Sequence, residues 1–338
     1  EAIDNLAGIY KELGNYTKAH DLLLYSYQQK QKELSAGDPG LFISQILIGQ
    51  LYYAMREYDK ALSYLSAGLK SIEKTSGDYL FWYGDALYGS ALVYDEKKEI
   101  QQAAACYEKA DSLYSASFQG EYDNIYLEFL GNTALFYAEN GLTRQAIDKA
   151  HKAYNYVIKA EGENSQLPFF HLQNLSEVYF KCKKYKEAVA YGQRALENVN
   201  QRIRSGKTLL DSIQIELKKP RAILLTAKAR YELMGKKEAP QLRKLLEELE
   251  EAIAILDRRK TVIYDPENIR LLMADHKDLL EFTKKILLEL YELTGNNKYM
   301  YQLVSLHESG IYNRIRLRLN QENGIRFARI PEQVLSRE

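Results

Sequence analysis

The chain's 338 residues are enough for two or three ordinary domains or for one long repeat array. At 46% apolar and 27% charged residues it can bury a core, which excludes disorder as the starting point. Lysine plus arginine equals aspartate plus glutamate at 46 each, so the net charge gives no general attraction to nucleic acid or to an anionic membrane.

The first predicted element carries Leu6, Ile9, Tyr10 and Leu13 at helical spacing. Gly14-Asn15-Tyr16 interrupts it, with Gly14 suited to a left-handed C-terminal cap. Thr17 caps or begins a second helix with Ala19, Leu22, Leu23 and Tyr27. The pair then recurs, with Leu51 and Tyr52 before Tyr58-Asp59-Lys60-Ala61, Leu62 and Leu65. Later turns fall at Lys98-Glu99-Ile100, Asn140-Gly141-Leu142 and Lys183-Lys184-Tyr185, and Pro168 opens the fifth pair.

Three classes of position keep one phase. Tyr10, Tyr52, Tyr94, Tyr137 and Tyr179 recur at steps of 42, 42, 43 and 42 residues. Three residues earlier stand Ala7, Gly49, Ala91, Ala134 and Ser176; nine residues later stand Ala19, Ala61, Ala103, Ala146 and Ala188. Two helices of a hairpin approach closely only where a side chain is small, so both sets are expected at hairpin contacts. The tyrosines fill the space beside them, which accounts for part of the 28 tyrosines without a cofactor.

The combination Ala7–Tyr10–Gly14–Tyr16–Ala19 resembles the tetratricopeptide repeat (TPR) family. The resemblance implies an all-α, right-handed α-solenoid of antiparallel helix hairpins, a TPR superhelix. A step of 42 against the family's usual 34 or so implies longer helices, of the kinesin light chain type. The usual tryptophan position holds Ile3, Gln45, Leu87, Leu130 and Leu172 instead. The closing proline is replaced by Gln31, Glu73, Ser115, Ile158 and Asn200, which loosens the unit boundaries.

Residues 1–206 thus read as five TPR-like hairpins, and 207–322 as two longer hairpins continuing the stack. In the second region Ile223 to Gly235 pairs with Pro240 to Arg259, and Pro266 to Leu293 with Tyr299 to Leu319. Pro220 marks a kink or a helix start, and Gly295-Asn296-Asn297 a stop. Tyr291-Glu292-Leu293-Thr294-Gly295, Tyr299, His307-Glu308-Ser309, Leu317, Leu319 and Ala328-Arg329-Ile330-Pro331 resemble the join between a bacterial TPR array and a CHAT (caspase- and separase-like) domain. That resemblance implies that 323–338 is a linker towards a missing C-terminal domain, the family's His–Cys protease. Nothing here matches its dyad.

The five histidines, His20, His151, His171, His276 and His307, include no pair at the i, i+4 spacing of a helical zinc site. There is no HExxH, P-loop or GxGxxG, so no catalytic, cofactor-binding or metal residues are expected, and the fragment is read as no enzyme. Cys106 reads as a small core residue, and Cys182 lies near a turn beside Lys181 and Lys183. Two distant cysteines make no disulfide framework and fit a reduced, cytoplasmic compartment; a chain starting at Glu1 within a helical pattern leaves a removed export signal open. No apolar run of 18 residues marks a transmembrane helix. Glu247, Glu248, Glu250 and Glu251 read as the exposed face of an amphipathic helix, and Arg314, Arg316, Arg318, Arg326 and Arg329 as a solvated basic stretch.

In the TPR family the first helices of successive units line a concave groove. Its positions carry over to Ile46, Gln50 and Tyr53, to Tyr88, Leu92 and Asp95, to Leu135 and Glu139, and to Phe170, Gln173, Glu177 and Phe180. The resemblance implies a protein or peptide partner held by aromatic anchors, with neither nucleic acid nor membrane as partner. The family's carboxylate clamp is not expected, because Asp4 and Gly8 stand where it needs lysine and asparagine. Terminal units without caps allow a homodimer. The fragment is therefore expected to be a protein-interaction scaffold, plausible as the sensor region of a CHAT-type protease. The alternative is a bacterial signal-peptide receptor of TPR type controlling a transcription regulator.

Overall fold

The computed structural model describes residues 2–12, 16–75, 77–163, 165, 167–205, 216, 218–262 and 276–308. All regular structure among the described residues is α-helical. The helices are α1 (Ala2–Glu12), α2 (Tyr16–Glu33), α3 (Pro39–Ala54), α4 (Tyr58–Ile72), α5 (Leu80–Glu96), α6 (Ile100–Phe118) and α7 (Asn124–Glu139). There follow α8 (Thr143–Glu161), α9 (Leu167–Lys181), α10 (Tyr185–Ser205), α11 (Lys219–Leu233), α12 (Ala239–Val262) and α13 (Lys277–Thr294). Residues 297–308 form α14. The chain divides into two compact units, Glu1–Ala153 and Tyr154–Glu338.

In the first unit α1 packs on α2, α3 on α4 and α5 on α6, and first helices also meet first helices, α1 with α3 and α3 with α5. In the second unit α9 pairs with α10, α11 with α12, and α12 with α13, while α9 meets α11 and α11 meets α13. Helices α9, α11 and α13 therefore occupy equivalent places, and the later hairpins extend the one before them.

The small residues sit where the hairpins close. Ala7, Ala91, Ala134, Ala19, Ala61, Ala103, Ala146 and Ala188 have no exposed surface, and Ser176 has 1%. At Gly49 a β-carbon would lie 2.7 Å from Leu65 Cγ and 3.2 Å from the Ala61 carbonyl, so the helices touch there nearly backbone to backbone. Ser176 turns the same contact into a bond, its Oγ donating to the Ala188 carbonyl at 2.8 Å.

One turn joins four of the hairpins. The Glu57 amide donates to the Tyr52 carbonyl and the Arg56 amide to Tyr53, a Schellman closure. The set recurs at Glu99 to Tyr94 with Lys98 to Asp95, at Leu142 to Tyr137 with Gly141 to Ala138, and at Lys184 to Tyr179 with Lys183 to Phe180. In each case the repeat tyrosine supplies the outer carbonyl. The closing residue then starts the next helix by accepting from the repeat alanine, as Ala61 donates to the Glu57 carbonyl and Ala103 to that of Glu99. The pivot must be left-handed, and it is filled by Arg56 (φ 61°), Lys98 (φ 61°), Gly141 (φ 77°) and Lys183 (φ 58°). Only the third is the residue type that takes this conformation without strain. Gly14 and Asn15, the turn expected in the first hairpin, lie outside the described residues.

Prolines and caps act where expected. Pro220 stands in the first turn of α11 and so marks a helix start. Gly295 (φ 64°) ends α13, its amide donating to the Tyr291 carbonyl at 2.8 Å. The last helix begins at 297 rather than at Tyr299, because Asn296 caps it by accepting from the Lys298 amide at 3.0 Å. Asp38 and Asp123 cap α3 and α7 in the same way. The expected start at Pro266, the segment 207–215, Leu317, Leu319, the basic stretch from Arg314 to Arg329 and the linker 323–338 lie outside the described residues.

Candidate functional site

The positions carried over as a groove divide between the two units. In the first unit they lie on α3, α5 and α7. Ile46 is wholly buried, packed with Phe42, Leu65 and Ala86, and it abuts Gly68, whose β-carbon would lie 3.0 Å away. Tyr88 is 7% exposed; its ring stands edge-on to Phe129 at 5.2 Å and its hydroxyl accepts from the Asn132 side-chain amide. Ile46, Tyr88 and the buried Gly131 occupy one repeat position, at steps of 42 and 43. At this position adjacent first helices press together, so Ile46 is a core residue without exposed surface and Tyr88 a core residue with little.

The positions four residues further on, Gln50, Leu92 and Leu135, are half-buried. Seven residues on, Tyr53 and Asp95 are half-buried, whereas the third helix has the buried Ala138 there and Glu139, one residue later, is exposed. Burial first, and then the Glu96 carboxylate, push the Tyr53 hydroxyl up to about 12, so it remains a neutral donor. Burial raises Asp95 as well; Lys98 opposes this, and Glu139 and Glu96 reinforce it. The face combines an aromatic ring, two leucines and converging carboxylates.

Beneath it runs a polar contact that the repeat pattern does not announce. Gln50 Nε2 donates to Asp85 Oδ2 at 2.6 Å, and Tyr114 Oη donates to Asp85 Oδ1 at 3.0 Å. Asp85 is buried, which raises its pKa against those two hydrogen bonds. Three helices, α3, α5 and α6, are tied at one carboxylate, and Gln50 is held facing the first-helix side. The only sign in the sequence is an acid within the otherwise apolar run Tyr83 to Tyr94.

In the second unit the carried-over positions lie on α9. Phe170 is 43% exposed and lies under the Lys218 ammonium, 4.4 Å from the ring centroid. Gln173 is half-buried. Glu177 accepts from Arg221 at 2.6 Å, and Phe180 packs on Tyr185 with ring centroids 5.6 Å apart.

The other candidates read as structure. His171 is buried, and desolvation pushes its pKa down to about 4, so the ring is neutral. His20 Nε2 lies 3.0 Å from the Tyr52 hydroxyl. Cys106 is half-buried, and burial pushes its thiol up, away from reactivity. Glu247, Glu250 and Glu251 are exposed on α12, and Glu248 pairs with Arg230. Among the described residues no cluster of three metal-ligating side chains occurs, and no helix is long and apolar enough to cross a membrane.

An all-α solenoid of TPR-type hairpins is the class that this helix order and small-residue packing define. Models of the tetratricopeptide repeat match residues 1–74, 84–117 and 171–197. No curated protein matches the chain in sequence. Among solved structures, the nearly identical TPR-like repeats of a putative kinesin light chain from Podosopora anserina are 17% identical, cover 61% of this chain and 96% of that one, and give a TM-score of 0.51. BtubC (BKLC) from P. vanneervenii is also 17% identical and covers 77% of this chain and 92% of that one, with a TM-score of 0.52. The apo form of RapI covers 94% of this chain and 84% of that one at 13% identity and a TM-score of 0.58. At these identities the likeness is one of fold alone.

Proposed function

We propose that the chain is a protein-interaction scaffold that takes a peptide or an extended protein segment on its first-helix faces. The supporting observation is the row Gln50, Tyr53, Leu92, Asp95, Leu135 and Glu139. The position of Gln50, Leu92 and Leu135 repeats on three consecutive first helices and that of Tyr53 and Asp95 on two, with Glu139 exposed one residue past its counterpart Ala138, while the position before them is closed by core packing. Aromatic and apolar anchors beside fixed polar groups are what a bound peptide needs for affinity and register. The finer role, as the regulatory region of a CHAT-type protease, rests on the resemblance of Tyr291 to Gly295, Tyr299, His307 to Ser309, Leu317, Leu319 and Ala328 to Pro331 to a TPR–CHAT join.

Affinity capture from native lysate tests the scaffold reading. Tyr53→Ala combined with Glu139→Lys should remove a partner that the parent retains, with circular dichroism unchanged. Identical partner sets would remove the face from consideration. Tyr88 is unsuitable for this purpose, because its truncation would open the core.

A second reading, a bacterial signal-peptide receptor of TPR type, uses the same faces and differs in what it releases. The RapI fold reaches over 94% of the chain, including the later hairpins, which suits an array used along most of its length. A short peptide displacing a DNA-binding protein from the chain would favour this reading; a His–Cys protease domain encoded downstream would favour the first.

A further inference from the structure

The first helices α3, α5 and α7 carry Asp85, Asp95, Glu96, Glu128 and Glu139 as their only charged side chains. Their hairpin partners differ: α4 carries Lys60 and Lys70, and α6 carries Lys109. In a chain whose charges cancel overall, three consecutive first helices are therefore built with acids and no bases. Tyr53, Leu92 and Leu135 stand half-buried on the same helices, so the row offers aromatic and apolar surface in a negative setting.

One corner of this row has the parts of a cation seat. The rings of Tyr53 and Tyr58 stand with centroids 6.3 Å apart, and the Tyr58 hydroxyl donates to Glu96 Oε2 at 3.4 Å. Glu96 and Asp95 both act on the Tyr53 hydroxyl. Asp95 is half-buried, yet among the described residues its carboxylate accepts no hydrogen bond and forms no ion pair, and neither ring carries a cation. Asp4, Asp111 and Glu177, also half-buried, are paired with Lys30, Lys149 and Arg221. Arg56 and Lys98, the cations that act on this corner, are exposed at turn pivots and pair with neither Asp95 nor Glu96. Burial therefore raises Asp95 in spite of Lys98, with Glu139 and Glu96 adding to the effect. A half-buried anion without a counter-charge costs the folded chain energy that an incoming cation would recover.

We infer that the corner of Tyr53, Tyr58, Asp95 and Glu96 seats an arginine or lysine side chain of a basic peptide, whose apolar neighbours lie on Leu92 and Leu135. The inference rests on the scaffold reading and sharpens it, because it fixes the charge of the partner. Arginine suits the corner best: its planar fork reaches carboxylates while its face stacks on a tyrosine ring. An acidic peptide would set its charge against Asp95 and Glu96, and a neutral one would leave Asp95 without a counter-charge.

The test uses the full chain and blocked pentapeptides, acetylated and amidated so that neither terminus carries charge. The sequences are Gly-Leu-Arg-Leu-Gly, the same peptide with citrulline, an uncharged mimic, in place of arginine, and Gly-Leu-Glu-Leu-Gly. Binding is followed by NMR shift perturbation of methyl-labelled leucines. The arginine peptide should move Leu92 and Leu135 and bind at least tenfold more tightly than the other two. In Asp95→Asn, which keeps the shape of the side chain, the preference for arginine over citrulline should fall at least tenfold, with the helical spectrum retained. Asp278→Asn, which removes an exposed carboxylate in the second unit, should leave that preference unchanged; an equal fall would mean general charge attraction and would overturn the seat. Leu92 and Leu135 signals that stay fixed would overturn it as well, and the lysate capture then decides the scaffold reading separately. A citrulline peptide that binds as tightly at the same leucines removes the seat while the scaffold reading stands. Free spermidine that moves Leu92 and Leu135 at the same concentrations as the arginine peptide would overturn the assignment to a peptide.

Discussion

Between Phe42 and Phe136 the interior interleaves aromatic rings with aliphatic side chains; between Leu242 and Leu290 it is mostly leucine. In the first stretch Tyr107, Tyr114, Tyr126, Phe129 and Phe136 form a continuous aromatic column, and buried hydroxyls need partners: Tyr114 finds Asp85, and Tyr126 finds Asp111 at 2.9 Å. In the second stretch Leu242, Leu245, Leu246, Leu249, Leu256, Leu279, Leu287 and Leu290 pack with few polar atoms among them. Rings need small residues opposite and acceptors at fixed places, so that region keeps a strict phase. Leucine fills space from many registers, so helical periodicity survives there while the repeat fades.

Truncation should cost most in the aromatic stretch. Tyr114→Ala is expected to cost about 3–5 kcal/mol and Leu249→Ala about 2–5 kcal/mol, read from urea unfolding midpoints. Milder changes separate the regions better. Tyr114→Phe leaves Asp85 with one donor fewer and should cost about 1–3 kcal/mol, while Leu249→Met should cost less than about 1.5 kcal/mol. Equal losses in these two variants would erase the distinction drawn above.

A further contrast is in pH. His171, in the second unit, is neutral in the folded chain with a pKa near 4 against an ordinary 6.5. The unfolded chain binds the extra proton between these values, so stability should be complete above about pH 6.5 and fall as the pH drops towards 4. The loss approaches about 3 kcal/mol at the acid end. His171→Leu should flatten this part of the profile, and thermal melts at pH 7 and pH 5 would detect it. Asp85 has the opposite sign: its raised pKa disfavours the fold as pH rises through the carboxylate range, so acid does not penalise that site.

The smallest effect is expected at the turns. Arg56→Gly and Lys98→Gly remove a side chain from a left-handed backbone and should each stabilise the chain by about 0.5–1 kcal/mol, seen as a rise in Tm. Gly141→Ala should do the reverse.

The sequence made the hairpins legible because their contacts are steric and local: one alanine, glycine or serine per helix, repeated in phase, is enough to locate each closure. The first-helix face was only partly legible. Ile46 and Tyr88 share a helical stripe with Gln50 and Leu92, and nothing in periodicity tells the side that faces solvent from the side that faces the next hairpin. The Asp85 contact was barely legible, its one sign being an acid in an apolar run. It joins three helices, and such meetings are decided by how hairpins stack.

The shared turn has a mechanical corollary. Since the repeat tyrosine's carbonyl and the repeat alanine's amide both bond the same closing residue, each elbow locks its two rods at one angle. A load pulling on the ends cannot widen these elbows without breaking several bonds at once. Elastic give must therefore come from sliding where one hairpin leans on the next, which would make the array a spring whose stiffness is set at the seams and not at the bends.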